Sequence, residues 1–231
     1  MLQLDRLVLA QRGFRLTADW VVPVGARVAV IGPSGAGKSS LLLAVAGFLP
    51  PEAGRVIWAG QDITGLDPAL RPVSLLFQDQ NLFPHLSLAQ NLGLALQPRL
   101  RLTTADRDRV TAILGQLGLA ELAALRPGAL SGGQQARAAL GRALLQARPV
   151  LLLDEPFAAL GPALKVELLD LVAGLATEAA VTVLMVTHDP GDARRFADLV
   201  VVVADGVAQP PRATAALFAD PPPALRAYLG G

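Results

Sequence analysis

Residues 32–39 read Gly32-Pro33-Ser34-Gly35-Ala36-Gly37-Lys38-Ser39, and Ser40 follows. Two glycines separated by four residues, then Lys and Ser, form the pattern of a phosphate-binding loop. The flanks agree with it. Val28-Ala29-Val30-Ile31 is an apolar run suited to a buried strand, and Ser40 to Ala46 is an apolar helical stretch. Glycines let successive backbone N–H groups turn inward around an anion, and a helix beginning there adds its unpaired amides and the positive end of its dipole. Lys38 would then reach the outer phosphates, and Ser39 would offer a hydroxyl to Mg²⁺, which keeps most of its shell as water and phosphate oxygen. The plainer alternative is a glycine-rich turn. Against it, the chain has only two lysines, Lys38 and Lys165, and otherwise uses Arg. A compact ammonium stands where a point charge suits phosphate.

Composition sets the bounds around this loop. With 231 residues, 52% hydrophobic and 17% charged, the chain can form one large domain, or one domain with a subdomain. A net charge of +1 gives no long-range field for nucleic acid, so Arg99, Arg101, Arg107 and Arg109 read as a solvated face. No apolar run reaches the roughly 18 residues of a membrane span, and Asp5, Arg6 and Arg12 interrupt any signal-like N-terminus. The absence of Cys excludes disulfides and iron–sulfur clusters.

Outward from the loop, Leu2 to Leu9, Phe14 to Val22 and Arg55 to Gly60 are expected to form a small antiparallel sheet. Pro50-Pro51, Gly54 and Asp67-Pro68 mark turns, and Val73 to Phe77 is a further strand ending at Gln78. From Leu86 to Ala147 the pattern is helical. Thr103 to Asp106 resembles a helix start, followed by apolar Val110, Ile113, Leu114 and Leu117 and a stop at Gly118.

Leu130-Ser131-Gly132-Gly133-Gln134 opens the helix that runs to Leu145. Ser131 with Gln134 is a capping box, but two glycines in a first turn cost about 1 kcal/mol each against Ala. A backbone that something approaches closely needs them, so this helix start reads as a second anion site.

After Pro149, the run Val150 to Leu153 suits a strand buried in a parallel sheet, and it ends in Asp154-Glu155. Ligands of open α/β sheets sit at the C-terminal strand ends, which puts both acids near the phosphate loop. Asp154 would hold Mg²⁺, and Glu155 would orient the attacking water. The strand Val181 to Thr187 points His188 at the same edge, where an imidazole could bond the γ-phosphate or the water. His85 has no such setting. Leu199 to Val203 is one more strand, turning at Asp205-Gly206 before a helical tail from Ala213.

The phosphate loop, Gln78, Ser131 to Gln134, Asp154-Glu155 and His188, in this order, resemble the ATP-binding subunit of an ABC transporter over essentially the whole chain. The resemblance implies an α/β fold: a P-loop NTPase core with a mostly parallel sheet, a small antiparallel β subdomain, and a helical subdomain at about 86–147. It implies a single ATP-binding domain over 1–231, with neither a transmembrane nor a C-terminal regulatory domain. ATP and Mg²⁺ are the implied cofactors, with Ser39, Gln78 and Asp154 at the metal. Two copies would meet head to tail, so that Ser131, Gly132 and Gly133 of one close over ATP on the other. Other implied partners are a transmembrane permease, met near Asp79 to Leu86, and indirectly a periplasmic or extracellular substrate-binding protein. That places the chain at the cytoplasmic face of the cell membrane.

Arg71 to Gln78, Asn81 to Phe83, Ala89 to Leu94 and Val201 to Gly206 look narrower still, like the ATPases of bacterial thiamine importers. There are two departures. Gln11 stands where the family has an aromatic residue stacking on adenine, for which Phe14 is the available substitute. Leu160-Gly161 stands where it has Leu-Asp. An ATPase for another small substrate, an ABC-type ATPase acting on DNA or the ribosome, and a P-loop phosphotransferase are the alternatives. Charge and the absence of repeats speak against the second, and Ser131 to Gln134 against the third.

Overall fold

The computed structural model describes residues 1–11, 13–77 and 82–229. Strands β1 (Leu2–Gln11) and β2 (Phe14–Val22) form a hairpin because both alternate. Leu2, Leu4, Leu7 and Leu9 share a buried face with Leu16, Ala18, Trp20 and Val22. The step from Leu4 to Leu7 breaks the period of two, and a register shift there, with Arg6 at φ 46°, absorbs the extra residue as a bulge. β3 (Arg27–Ile31) then runs into the phosphate loop and α1 (Lys38–Ala46).

β4 (Ala53–Trp58) pairs antiparallel with β1, and β5 (Gln61–Asp62) with β4. The expected strand ended at Gly60; Ala59 and Gly60, at φ 49° and 83°, instead make the turn between β4 and β5. β6 (Val73–Leu76) precedes the helical region of α2 (Leu88–Gly93), α3 (Thr104–Gln116) and α4 (Gly132–Leu145). The helix start expected at Thr103 to Asp106 is present and is a capping box, and the capping box expected at Ser131/Gln134 is formed. The chain continues through β7 (Val150–Asp154), α5 (Pro162–Glu178), β8 (Thr182–Val186), α6 (Pro190–Phe196) and β9 (Leu199–Ala204). It ends with β10 (Val207–Ala208), β11 (Arg212–Ala213), α7 (Thr214–Ala219) and α8 (Pro223–Leu229), so the helical tail is two helices.

Among the described residues the strand order is β5-β4-β1-β2-β10-β9-β3-β8-β7-β6, with β11 on β9. β9, β3, β8, β7 and β6 are parallel neighbours. Two-residue β10 joins the halves, antiparallel to β9 and parallel to β2. Val28 and Val30 of β3 face a core with Leu41, Leu42, Leu184 and Val186, whereas Ala29 and Ile31 face another with Leu140, Leu151, Leu153 and Leu168. The parallel half is thus covered on both sides, which explains its unbroken apolar strands.

Register positions the site. Val186 is level with Val30 on one side and with Asp154 on the other, so the residues that follow β3 and β8 emerge at one edge together with the end of β7.

Candidate nucleotide site

The phosphate loop fits this edge only because of its glycines. Gly32 has φ 150°, and a Cβ there would lie 2.0 Å from the carbonyl oxygen of Val203 in β9. Gly37 has φ 97°, and a Cβ there would lie 2.1 Å from Cζ of Phe14. Gly37 is also the N-cap of α1 and has no side chain to cap it, so the first amides of that helix face the loop. The ammonium of Lys38, 7% exposed, donates to the carbonyls of Gly32 and Pro33, both at 2.9 Å. The lysine thus closes the loop on itself.

Ser39, one residue into α1, donates its hydroxyl to Oδ1 of Asp154 at 2.9 Å. Burial raises the Asp154 pKa above the ordinary carboxylate value and neighbouring Glu155 adds to this, while the Ser39 bond and Lys38 oppose it. Burial likewise lowers the Lys38 pKa, opposed by Glu155 and Asp154. The cation and the two carboxylates therefore feel one another directly.

Glu155 has φ 44°, a left-handed backbone that an L residue adopts only when its surroundings enforce it. Its N–H donates to the carbonyl of Val186 at 3.1 Å, tying the turn to β8. The turn directs Oε2 to within 3.0 Å of Nδ1 of His188. Thr187 donates its N–H to the carbonyl of Val30 at 3.2 Å, which holds the His188 loop beside the strand that feeds the phosphate loop. The His188 side chain is 59% exposed and open to a ligand.

Residues 32–39, Asp154, Glu155 and His188 are thus brought together. Ser131 and Gln134 bond to each other at the head of α4, where Ser131 and Gly132 are exposed. Gly133 has a second reason to lack a side chain: a Cβ there would lie 2.2 Å from Cδ2 of Leu164. Gln78 and Asp79 to Asn81 lie outside the described residues. Among the described residues, no group of three or more His, Cys, Asp or Glu is placed to hold a metal ion. The oxygen pair Ser39 and Asp154 suits a hard divalent cation that takes its other ligands from water and phosphate.

Phe14, the available substitute for the stacking aromatic, lies against Gly37. The relationship that the motifs do not announce is that of Lys165, which bonds Asp189 and Asp192 beside His188. Its scarcity as one of two lysines was the available signal.

Residues 17–158 match the family model described as ABC transporter. The chain is 64% identical over 230 residues, with 100% of both chains covered, to the thiamine import ATP-binding protein ThiQ of Cereibacter sphaeroides. It is 54% identical, with the same coverage, to the protein of that name in Ruegeria sp. (strain TM1040). Against the Salmonella typhimurium protein of that name it is 52% identical over 182 residues, covering 79% of this chain and 77% of the other. Two solved structures of MJ0796 superpose with a TM-score of 0.80 at 28% identity, covering 93% of this chain and 99% of theirs. One is described as the dimeric structure of a bacterial ABC transporter cassette, the other as a dimeric post-hydrolysis state bound to ADP and Pi.

Proposed function

The chain belongs to the ABC transporter family of ATP-binding proteins, and from that premise we propose that it is the ATP-hydrolysing subunit of a thiamine importer. The observation that carries the chemistry is the shared strand edge, where Ser39 meets Asp154 and Glu155 meets His188. The full-length 64% identity to a thiamine import ATP-binding protein supports the substrate.

ATP is held by residues 32–40, with the phosphates cradled by loop amides and paired with Lys38. Phe14, on the rim at Gly37, supports an aromatic contact to the base in place of Gln11. Ser39 and Asp154, with Gln78, would hold Mg²⁺. When bound, the ion neutralises phosphate charge. Glu155 accepts a proton from the attacking water, and His188 holds the γ-phosphate side of the site.

Ser131, Gly132, Gly133 and Gln134 act on the ATP of a second copy in a head-to-tail dimer. The exposure of Ser131 and Gly132 at the head of α4 supports this, as does the dimer described for the MJ0796 structures. A separate permease contacts the helical subdomain. A groove of about 250 Å³ lined by Phe77, Phe83, Arg142 and Gln146 supports that contact, and Phe83 is 45% exposed. Among the described residues, no helix is long and apolar enough to cross a membrane. The whole chain acts as one ATP-binding domain at the cytoplasmic face, with a substrate-binding protein supplying the permease from the other side.

The test is uptake of labelled thiamine in cells lacking the gene, restored with wild type or Glu155→Gln. Loss of uptake that only wild type restores is the expected result. Uptake untouched by deletion removes thiamine as the substrate. In the purified assembly, Glu155→Gln should lower turnover by roughly 10²-fold or more while keeping ATP binding and an ATP-dependent dimer on gel filtration.

A further inference from the structure

The loop that carries His188 is pinned on both flanks by a ring of hydrogen bonds that closes at one ammonium. Thr187 donates Oγ1–H to Oδ2 of Asp192 at 2.8 Å and accepts the N–H of Asp189 at 3.1 Å. Lys165 completes the ring, reaching Oδ2 of Asp189 at 2.5 Å and Oδ1 of Asp192 at 2.8 Å. His188 lies between two members of the ring and turns its own side chain to Glu155. The Tyr228 hydroxyl of α8 donates to the His188 carbonyl.

We propose that Lys165 is a positioning residue for ATP hydrolysis, fixing the segment from Thr187 to Asp192 so that His188 stays against Glu155. This rests on reading His188 as part of the hydrolytic site. An exposed ion pair would contribute little; Asp189 is 41% exposed, but the Lys165 and Asp192 side chains are only 19% and 13% exposed, and the ring includes Thr187 at 5%. One cation also serves two carboxylates. Without it, Asp189 and Asp192 keep like charges on a single short turn, and repulsion opens the ring. The Lys165 bond is the first cause of the lowered Asp189 pKa, as expected of a carboxylate that depends on this partner. Lys165 also follows Leu164, which packs on Gly133 at the head of α4. One turn of α5 therefore touches both the His188 loop and the segment assigned to the partner's ATP.

The experiment compares ATP hydrolysis by the assembled transporter carrying wild type, Lys165→Met, Lys165→Arg or His188→Ala, with thermal unfolding of each. A displacement of about an ångström at a reacting group can cost 10²-fold, so Lys165→Met should lower kcat by about 10- to 100-fold with KM for ATP unchanged. Lys165→Arg, which also reaches two carboxylates, should recover most of kcat. Full kcat in Lys165→Met, or a loss that Arg fails to recover, overturns the proposal. Should Lys165→Met fail to fold, Thr187→Val cuts the same ring at two bonds and must show the same fall in kcat. Full turnover in His188→Ala overturns the underlying reading instead, so the two failures are told apart.

Discussion

Ser39 and Asp154 are joined by a 2.9 Å hydrogen bond across 115 residues of sequence, linking the first turn of the phosphate-loop helix to the end of a central strand. The contact holds a carboxylate whose pKa burial pushes upward. A raised pKa means that the folded chain binds this proton more tightly than the unfolded chain. The carboxyl therefore favours the fold below the ordinary carboxylate value of 3.8 and costs stability as pH rises through the raised range. Asp154→Asn keeps an oxygen for Ser39 and removes the charge. Without nucleotide, the variant should match the parent near pH 4 and exceed it at pH 7 by about 0.5 kcal/mol or more, read as a melting temperature. Mg²⁺-dependent ATP hydrolysis should be lost, and in the parent EDTA should abolish it likewise.

Arg71 supports the same helix from its other end. It is 2% exposed, and its guanidinium donates to the carbonyls of Ala44 and Val45 at 2.9 Å and of Leu66 at 3.1 Å, and also to that of Thr64. A fixed cation at the C-terminus of α1 complements the helix dipole and satisfies carbonyls left over by the last turn. Arg71→Met should destabilise the fold by about 3 kcal/mol or more, because bonds to a charged donor are worth about 1.5–3 kcal/mol each and their acceptors would stay buried. Urea unfolding should show a lower midpoint with an unchanged slope. Arg71→Lys should recover only part of the loss, since one ammonium cannot span the fork.

This contrast marks what the sequence can disclose. The phosphate loop, Asp154-Glu155 and the Ser131/Gln134 cap are local patterns whose residues define their own surroundings, and the expected strands fall within a few residues of the observed ones. The apolar runs of β7 and β9 announce a sheet covered on both faces. Arg71, Phe14 and Lys165 make their contacts through the topology: Arg71 across 27 residues to Ala44, Lys165 across 24 to Asp189. No local pattern specifies such partners. The two-residue β10, which joins the halves of the sheet, is too short to show periodicity at all.

Gly132 and Gly133 separate two uses of a missing side chain. A Cβ on Gly133 meets Leu164 at 2.2 Å, whereas one on Gly132 finds only ordinary contact, 3.9 Å from Leu160. Gly133→Ala should therefore destabilise the fold by about 1–3 kcal/mol, as expected of overpacking where Leu164 cannot swing aside, read as a lower melting temperature. Gly132→Ala should leave the isolated subunit as stable as wild type and weaken the ATP-dependent dimer formed in the Glu155→Gln background. Normal dimerisation of Gly132→Ala would argue against close approach of a partner's nucleotide at that residue.

Gly161 is the N-cap of α5, with φ −64° and ψ 155°, ahead of Pro162, and it offers no side-chain bond to the first turn. A Cβ there meets nothing within 4 Å, so Asp fits without displacing a neighbour. As a cap, Asp should exceed Gly by only a few tenths of a kcal/mol, a small rise in melting temperature. Its larger effect follows from position, because the turn it would cap carries Leu164 against Gly133 and Lys165 against Asp189. A carboxylate at this point would act on the connection between the two ends of the site. Gly161→Asp should then raise the ATPase rate of the assembled transporter or the steepness of its dependence on ATP. Both are read from one titration of hydrolysis against ATP concentration. A higher melting temperature with superimposable titrations would confine residue 161 to helix capping and leave coupling to the ring at Lys165.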